Sequence, residues 1–302
     1  MDIIQLLILG IVQGITEWIP ISSKTQLAVV YLGVFKQDPA FLLSMVLFAH
    51  IGTLLAATVY FRKEIAGLAK KFLEKPLEKE TYAKGETGFI FGAILMTGVV
   101  GVPIIIAESV LYQDLNGMII YLLLGGGLIF TGLLLHSQKN AKQREIKSAG
   151  LLDGIVTGAL QGLSTIPGVS RSGTSTTGLI WRGFDAESSF HLSFLLSVPT
   201  VIIAEMILYS CGLGAGPVSF VSNALAGSGI PFIAGLGAKV AAKCAGTMIM
   251  ALPEALLLAL TSFVVGYLTI GFILKSMKKV NLAYVAIAWG ILVIVFGVLG
   301  AS

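Results

Sequence analysis

Charged residues are scarce in this sequence. Its 302 residues include only 20 Lys and Arg and 16 Asp and Glu, together 12% of the chain, and the mean hydropathy is +0.91. Soluble globular domains are about 25% charged, and a water-facing surface for a chain of this length cannot be built from so few charges. The composition therefore excludes an ordinary soluble domain and predicts one membrane domain over residues 1–302.

Basic residues and cysteines are sparse as well. Lys and Arg gather in residues 62–84, 139–147 and 275–279. Such clusters are typical of cytoplasmic loops beside membrane spans rather than of nucleic-acid-binding surfaces, so no nucleic acid partner is expected. The two cysteines, Cys211 and Cys244, show no metal-ligand spacing. We interpret them as free thiols, with a disulfide across one outside loop as the alternative.

Long apolar runs, by contrast, fill the chain. A helix needs about 20 apolar residues to cross a bilayer core of about 30 Å. Six runs meet this length: 41–61, 87–107, 118–136, 188–211, 248–274 and 281–301. Two further stretches, 3–35 and 151–182, are broken by polar Pro/Ser segments at 20–24 and 167–173. Each break leaves two short arms, which predicts a re-entrant helical hairpin buried in protein or facing a watery cavity.

Loop charge orients these elements. The positive-inside rule places loops 62–86 and 137–150 on the cytoplasmic side of a cell membrane. Counting spans from these loops puts the ends of the first hairpin outside and those of the second inside. The two hairpins are therefore expected to enter the membrane from opposite faces.

The two halves of the chain also resemble each other. Segment 10–16 reads Gly-Ile-Val-Gln-Gly-Ile-Thr, and segment 158–164, at an offset of 148 residues, reads Gly-Ala-Leu-Gln-Gly-Leu-Ser. Each half holds one hairpin and three spans, an odd number, so a repeat of one fold must be inverted. We predict an all-α integral membrane protein with an inverted-topology repeat (1–148 and 149–302), six transmembrane helices and two re-entrant helical hairpins.

The first hairpin carries two charged residues, Glu17 and Lys24. A charge at the bilayer centre costs at least about 2.5–3.5 kcal/mol on insertion scales, so it usually faces a cavity and serves a function. A structural Glu–Lys pair is the alternative. Pro20 ends the first arm, and Ser22 or Ser23 is expected to cap the second.

The second hairpin repeats this logic at its own break. Ser170, Ser172 and Thr174 surround Arg171 at the start of an arm. A helix N-terminus exposes unpaired N–H groups that favour anions, and the planar guanidinium suits phosphate or carboxylate oxygens. Two opposed hairpins would bring both tips together near the midplane, where an anionic head group is the natural ligand.

Small and polar residues elsewhere support weaker expectations. Gly10 with Gly14, and Gly158 with Gly162, have the spacing of close helix-packing faces. Four polar residues lie in or beside the spans: His50, His191, Glu205 and Glu254. For the histidines an interhelical hydrogen bond is favoured over proton transfer, and the partners of the two glutamates cannot be named from sequence.

The two hairpin motifs resemble those of a known family. Segment 10–23 reads Gly-Ile-Val-Gln-Gly-Ile-Thr-Glu-Trp-Ile-Pro-Ile-Ser-Ser, and segment 167–173 reads Pro-Gly-Val-Ser-Arg-Ser-Gly. Both are similar to signatures of the undecaprenyl-diphosphate phosphatases of the bacitracin-resistance type, and the resemblance runs over essentially the whole chain. It implies the same fold, with two opposed hairpins and six spans. It also implies removal of the terminal phosphate from a polyprenyl diphosphate, which recycles the lipid carrier for cell-envelope glycans.

The resemblance also implies roles for individual residues. Glu17 matches a glutamate expected to act as base or to hold a divalent cation, Mg²⁺ or Ca²⁺, and Ser23 matches the serine proposed as nucleophile. Arg171 completes the expected catalytic set, and together with Ser170 it matches the diphosphate-binding pair. The expected substrate-binding residues are Gln13, Ser22, Lys24, Thr25, Gln26, Ser170, Ser172, Gly173 and Thr174.

Two positions of the first motif depart from the family pattern. Gln13 stands where the family commonly has a first glutamate, and Gln26 stands where it has a histidine. Glutamine cannot accept a proton near neutral pH, so general acid–base work would fall to Glu17. Lys24 could offset the loss by neutralising phosphate charge, and His50 is an alternative source of an imidazole. The departures indicate a divergent subgroup.

Two functions are compatible with these residues. The first is hydrolysis of a polyprenyl diphosphate lipid, with the isoprenyl tail among membrane lipids and either a serine-phosphate intermediate or direct attack by water. The second is a transporter or flippase for an anionic lipid or small anion, because opposed broken helices are equally a transporter design. The sequence leaves a homodimer open.

Overall fold

The computed structural model describes residues 1–74, 85–111, 117–138, 143–212, 250–276 and 281–300. Within these ranges the chain forms eleven α-helices and no β-strand. They are α1 (Ile3–Thr16), α2 (Ser23–Ala28), α3 (Leu42–Tyr60), α4 (Arg62–Glu74), α5 (Gly85–Leu111), α6 (Gly117–His136), α7 (Leu151–Gly162), α8 (Arg171–Trp181), α9 (Ala186–Gly212), α10 (Leu252–Ser276) and α11 (Leu282–Gly300). The all-α prediction is therefore confirmed.

Six helices, α3, α5, α6, α9, α10 and α11, contain stretches long and apolar enough to cross a bilayer. They coincide with the six predicted spans to within a few residues at each end. Their outer faces carry large apolar side chains, with Leu268, Phe272 and Leu299 each at least 70% exposed. Polar residues such as Thr174 and Ser175 are fully buried instead. This inside-out distribution is that of a multi-pass membrane protein, since lipid favours an apolar exterior.

Both predicted hairpins are broken helices. The break between α1 and α2 spans residues 17–22, and α2 continues as a π-helical turn over Val29–Val34. The break between α7 and α8 begins with a 3₁₀ turn, Leu163–Thr165, and ends at the cap residue Ser170. In both cases a proline or glycine in the break prevents the arm from continuing as a regular helix.

The arms pack reciprocally between the two halves of the chain. Helix α1 lies along α10, and helix α7 lies along α5. A Cβ atom built on Gly14 would come within 2.7 Å of the Val265 Cβ, and one on Gly158 would come within 2.7 Å of the Ala93 Cα. Glycine thus permits the close approach on both sides, which confirms the predicted packing faces. The boundary of the repeats at residue 148 stays a prediction.

One stretch and one expectation lie outside the described part of the chain. The stretch 212–245 is Gly-rich and weakly apolar, and the sequence assigns it no element. It falls almost entirely within residues 213–249, which the structure does not describe. The side chains of Cys211 and Cys244 are likewise outside it, so the choice between free thiols and a disulfide stays open.

Candidate active site

The tips of the two broken helices meet through an ion pair. Arg171, at the first position of α8, donates from Nη2 to Glu17 Oε1 at 2.5 Å. The Glu17 side chain is only 6% exposed, and the Arg171 side chain 18%. These residues come from opposite halves of the chain, as the paired motifs predict. The alternative of a structural Glu17–Lys24 pair is wrong, because among the described residues Glu17 pairs with Arg171 and His50 instead.

Glu17 is the hub of a buried polar network. Its Oε2 accepts hydrogen bonds from Ser23 Oγ at 2.6 Å and from Gln13 Nε2 at 2.9 Å. His50 Nε2 lies 3.4 Å from the same oxygen. His50 is fixed in turn by a contact of 2.8 Å between its Nδ1 and the carbonyl oxygen of Val46. Since a carbonyl only accepts, Nδ1 carries the hydrogen and Nε2 is the nitrogen presented to Glu17.

The turn that presents Ser23 is strained. Ser22 adopts φ 57° and ψ 90°, a region that residues with a Cβ rarely occupy. Such strain is held only where the surroundings over-determine it, and it clusters at functional sites. The prediction that Ser22 or Ser23 caps the second arm is confirmed in position but not in its usual hydrogen bond. Ser22 occupies the cap position without a capping hydrogen bond, and the Ser23 hydroxyl is turned to Glu17.

The second tip is built by a glycine turn and a serine cap. Gly168 has φ +86°, and a Cβ there would collide with the backbone of Leu124 on α6. Ser170 caps α8 by accepting from the Gly173 N–H at 3.3 Å, and its own N–H donates to Thr131 Oγ1 at 3.0 Å. The Arg171 Nη1 atom is buried and has no hydrogen-bond partner among the described residues. One branch of this guanidinium therefore binds Glu17 while the other is free.

A cavity of about 130 Å³ lies between the tips. Seven of the predicted site residues line it: Glu17, Ser22, Ser23, Lys24, Ser170, Arg171 and Ser172. Five others lie behind this lining: Gln13, Thr25, Gln26, Gly173 and Thr174. The arrangement offers a hydroxyl held by a carboxylate, two cationic side chains and further hydroxyls, which together suit the binding and attack of a phosphate group.

The comparison with known proteins agrees with this geometry. A family model described as bacitracin resistance protein BacA matches residues 6–299. The chain belongs to this family.

Two of the curated relatives match nearly the whole chain, and a third matches about two thirds of it. An undecaprenyl-diphosphatase of Haloarcula marismortui is 33% identical over 99% of this chain and 98% of its own length. One of Methanothrix thermoacetophila is 32% identical over 97% of this chain and 96% of its own length. One of Saccharolobus islandicus is 39% identical over 67% of this chain and 73% of its own length.

The five residues behind the lining support the site of this BacA-family chain. Gln26 donates to the Ile21 carbonyl oxygen at 2.8 Å and accepts from the indole N–H of Trp289. Thr25 donates to Ser22 Oγ at 3.1 Å, which helps hold the strained turn. At the second tip, Thr174 donates to backbone carbonyls, and Gly173 leaves room for the side chain of Thr131.

Among the cavity residues that the predicted site does not include, three have side chains that can hold a proton or bind an ion: His50, Gln161 and Glu205. Gln161 is the counterpart of Gln13 at the offset of 148 residues, so the internal repeat carried a signal for it. In the sequence, Glu205 is a charged residue within a predicted span, and the same is true of Glu254. The structure separates them, because Glu254 pairs with the amino group of Met1 at 3.1 Å and does not line the cavity. His50 on α3 contacts Glu17 at the end of α1, in keeping with the interhelical contact favoured for the histidines, and it also lines the cavity.

Proposed function

We propose that this BacA-family chain is a phosphatase that hydrolyses the terminal phosphate of a polyprenyl diphosphate, undecaprenyl diphosphate or a similar carrier, to the monophosphate. The observation that carries the proposal is the joint contact of Glu17 with Ser23 and Arg171 across two separate hairpins. The enzyme name borne by full-length relatives supports it. The recycled product is a lipid carrier for cell-envelope synthesis.

The diphosphate head group would bind between the two tips. The free Nη1 of Arg171 supplies a donor already desolvated and aimed inside the site. Ser170 and Ser172 add hydroxyls within 3.2 Å of each other, and Lys24 adds a second positive charge at the cavity wall. Charged donors fixed before the substrate arrives stabilise a phosphoryl transition state more effectively than mobile ones.

Ser23 is the proposed nucleophile and Glu17 its base. As the Ser23 oxygen forms a bond to the terminal phosphorus, its proton passes to Glu17 Oε2, 2.6 Å away. The bond from phosphorus to the bridging oxygen breaks, and its electron pair stays on the polyprenyl monophosphate. Water then attacks the phosphoserine and its proton passes to an oxygen of the phosphate that is formed. Glu17 returns the held proton to the Ser23 oxygen as the bond from phosphorus to that oxygen breaks, which leaves both residues as they began. Inorganic phosphate is the second product.

A divalent cation, Mg²⁺ or Ca²⁺, is implied by the family resemblance. Its chemistry would be to neutralise phosphate charge. Glu17 does not fit as its first ligand, because both of its carboxylate oxygens already contact other residues. Buried oxygens without a partner elsewhere in the cavity do fit a hard, oxygen-seeking ion, and they belong to Gln161 and Glu205.

The proposed placement is the cell membrane, with loops 62–86 and 137–150 in the cytoplasm. The basic residues of these loops support this orientation. The isoprenyl tail would lie among membrane lipids, beside the apolar outer faces of the spans. A homodimer belongs to the same proposal, and the mass of the protein–detergent complex measured by light scattering tests it.

Phosphate release by purified protein in detergent, with undecaprenyl diphosphate as substrate, tests the proposed function. Wild type is expected to release phosphate, and Glu17→Gln and Arg171→Ala to lose at least about 100-fold in rate, since each removes a base or a charged donor. Glu74→Gln, on the exposed end of α4, is the control and is expected to match wild type. Wild type that releases no phosphate at any pH or with any divalent ion contradicts the proposal.

The transporter alternative is not favoured. The same opposed tips would suit it, yet the relatives that match nearly the whole chain are named as phosphatases. Flux of the lipid or of a small anion in liposomes, without phosphate release, would be its signature.

A further inference from the structure

Two buried oxygen atoms in the cavity lack a partner. Glu205 Oε2 and Gln161 Oε1 are inaccessible to solvent and accept no hydrogen bond from any described residue. Both side chains line the cavity between the tips, and the residues are 9% and 1% exposed, respectively. A buried acceptor without a donor costs about 1–3 kcal/mol, and more when it is charged. Two of them in one small cavity indicate a ligand that supplies positive charge.

The orientation of the Gln161 amide follows from its neighbours. Thr97 Oγ1 donates its only hydrogen to the Ala93 carbonyl oxygen at 2.7 Å. Thr97 can therefore only accept from Gln161, whose Nε2 donates to it at 3.0 Å. The other amide atom, the carbonyl oxygen Oε1, is consequently the one left free. A carbonyl oxygen is a ligand that Mg²⁺ and Ca²⁺ accept.

Glu205 cannot share the cavity with a diphosphate unless a positive charge stands between them. Arg171 is partly committed to Glu17, and Lys24 forms no ion pair within 4 Å in the described part of the chain. Like charges in a small, weakly polar cavity repel strongly. A proton or a cation that accompanies the carboxylate would relieve this repulsion when an anionic substrate binds.

We propose that Glu205 and Gln161 bind a divalent cation that bridges them to the diphosphate. The inference rests on the proposed function for its substrate. Arg171 and the cation would then act from two sides of the cavity, the first anchored by α8 and the second by α7 and α9. One carboxylate together with substrate phosphate oxygens is a common way to hold Mg²⁺. In the described part of the chain no cluster of three or more His, Cys, Asp or Glu offers a complete protein cage, so substrate oxygens and water would complete the shell.

Binding of Mn²⁺, followed by its electron paramagnetic resonance signal, tests this site without turnover. Purified protein is titrated with Mn²⁺ in the presence of methylenediphosphonate, a diphosphate that cannot be hydrolysed. Wild type is expected to bind Mn²⁺, and Glu205→Gln to lose at least about 10-fold in affinity. Gln161→Met, which removes the amide oxygen but keeps the volume, is expected to weaken binding in the same direction. Thermal unfolding confirms that each variant is folded.

Glu254→Gln is the matched control, because it removes a carboxylate that lies in a span but outside the cavity. It is expected to bind Mn²⁺ as wild type does. If Glu205 instead donates a hydrogen bond as a neutral acid, Glu205→Gln retains wild-type Mn²⁺ affinity, and that result overturns the proposal. Phosphate release is measured on the same samples. Mn²⁺ binding that depends on Glu205 without any phosphate release contradicts the proposed function alone.

Discussion

At the scale of single residues, Glu17 contacts more side chains than its motif alone predicts. One oxygen holds Arg171, and the other accepts from Gln13 and Ser23 while facing His50. A carboxylate with so many donors is well placed to receive a proton but poorly placed to hold a metal ion. The site thereby divides its tasks, with the proton at Glu17 and the cation proposed at Glu205.

The imidazole that the first motif lacks is supplied from elsewhere in the chain. His50 lies on α3 and presents Nε2 to the same oxygen that holds the Ser23 hydroxyl. The charged groups around it are Glu17, Lys24 and Arg171, from the first break, α2 and α8. In the proposed mechanism His50 can therefore take over the proton that Glu17 removes from Ser23.

His50→Gln is expected to lower kcat about 100-fold, because one general acid–base group typically contributes about that factor or more to the rate. The pH profile of kcat/KM should also lose one ionisation, which a purely structural histidine would not affect. The control is His191→Gln, since His191 packs edge-on against Phe61 at 5.0 Å and does not line the cavity. An unchanged rate and pH profile in His50→Gln would show that the contact only positions Glu17.

At the scale of elements, ion pairs hold the base of the second hairpin together. Asp153, in the first turn of α7, accepts from Arg182 Nε at 2.7 Å and from both Arg144 Nη atoms, at 3.0 and 2.9 Å. Arg182 directly follows α8, so the carboxylate ties the two arms together. Burial raises the pKa of Asp153, but the hydrogen bonds and charges of Arg144 and Arg182 outweigh it, and the net pKa lies below the ordinary value.

Asp153→Asn is expected to destabilise the protein by about 2 kcal/mol at pH 7, because charged hydrogen bonds are lost. A lowered folded-state pKa means that the stabilisation is complete above the unfolded-state pKa, about pH 4, and is lost as pH falls through the folded-state value. Thermal unfolding in detergent should therefore show a gap between wild type and variant that closes in acid. Glu74→Gln, which breaks an exposed pair with Lys70, should show no gap at either pH.

At the scale of the whole molecule, the site depends on how the two halves interlock. Helix α1 bears Glu17 at its end and lies along α10, while α7 leads to Arg171 and lies along α5. Glycines set both distances of approach. A larger side chain at either contact would push one tip away from the other.

Gly158→Leu is expected to destabilise the protein by about 1–3 kcal/mol or more, since the added side chain meets the backbone of Ala93. Phosphate release should fall with it, because the Arg171 tip is displaced. Gly98→Leu, on α5, is the control, as a Cβ there meets no described atom within 4 Å. Equal unfolding temperatures for the two variants would contradict close packing at Gly158.

Much of this molecule was predictable from sequence because the signals are local. Span length depends on consecutive apolar residues, and Pro20 and Gly168 mark the breaks directly. Glu17 and Arg171 are conspicuous as charges in apolar surroundings. His50 could be named only as an alternative source of an imidazole, because only the packing of α3 against the first hairpin brings it to a residue 33 positions earlier. Glu205 and Glu254 look alike in sequence, and tertiary structure alone distinguishes the cavity residue from the partner of Met1.

The two branches of Arg171 have a geometric consequence. Nη2 is fixed on Glu17 and Nη1 is free, and both belong to one rigid plane. A phosphate oxygen bound at Nη1 is therefore held at a constant distance from the Glu17 carboxylate. Lysine at this position would keep the charge but would not fix this distance, because its ammonium is a single point on a flexible stem. In the proposed mechanism the guanidinium thus aligns the base with the phosphorus atom as well as attracting the anion.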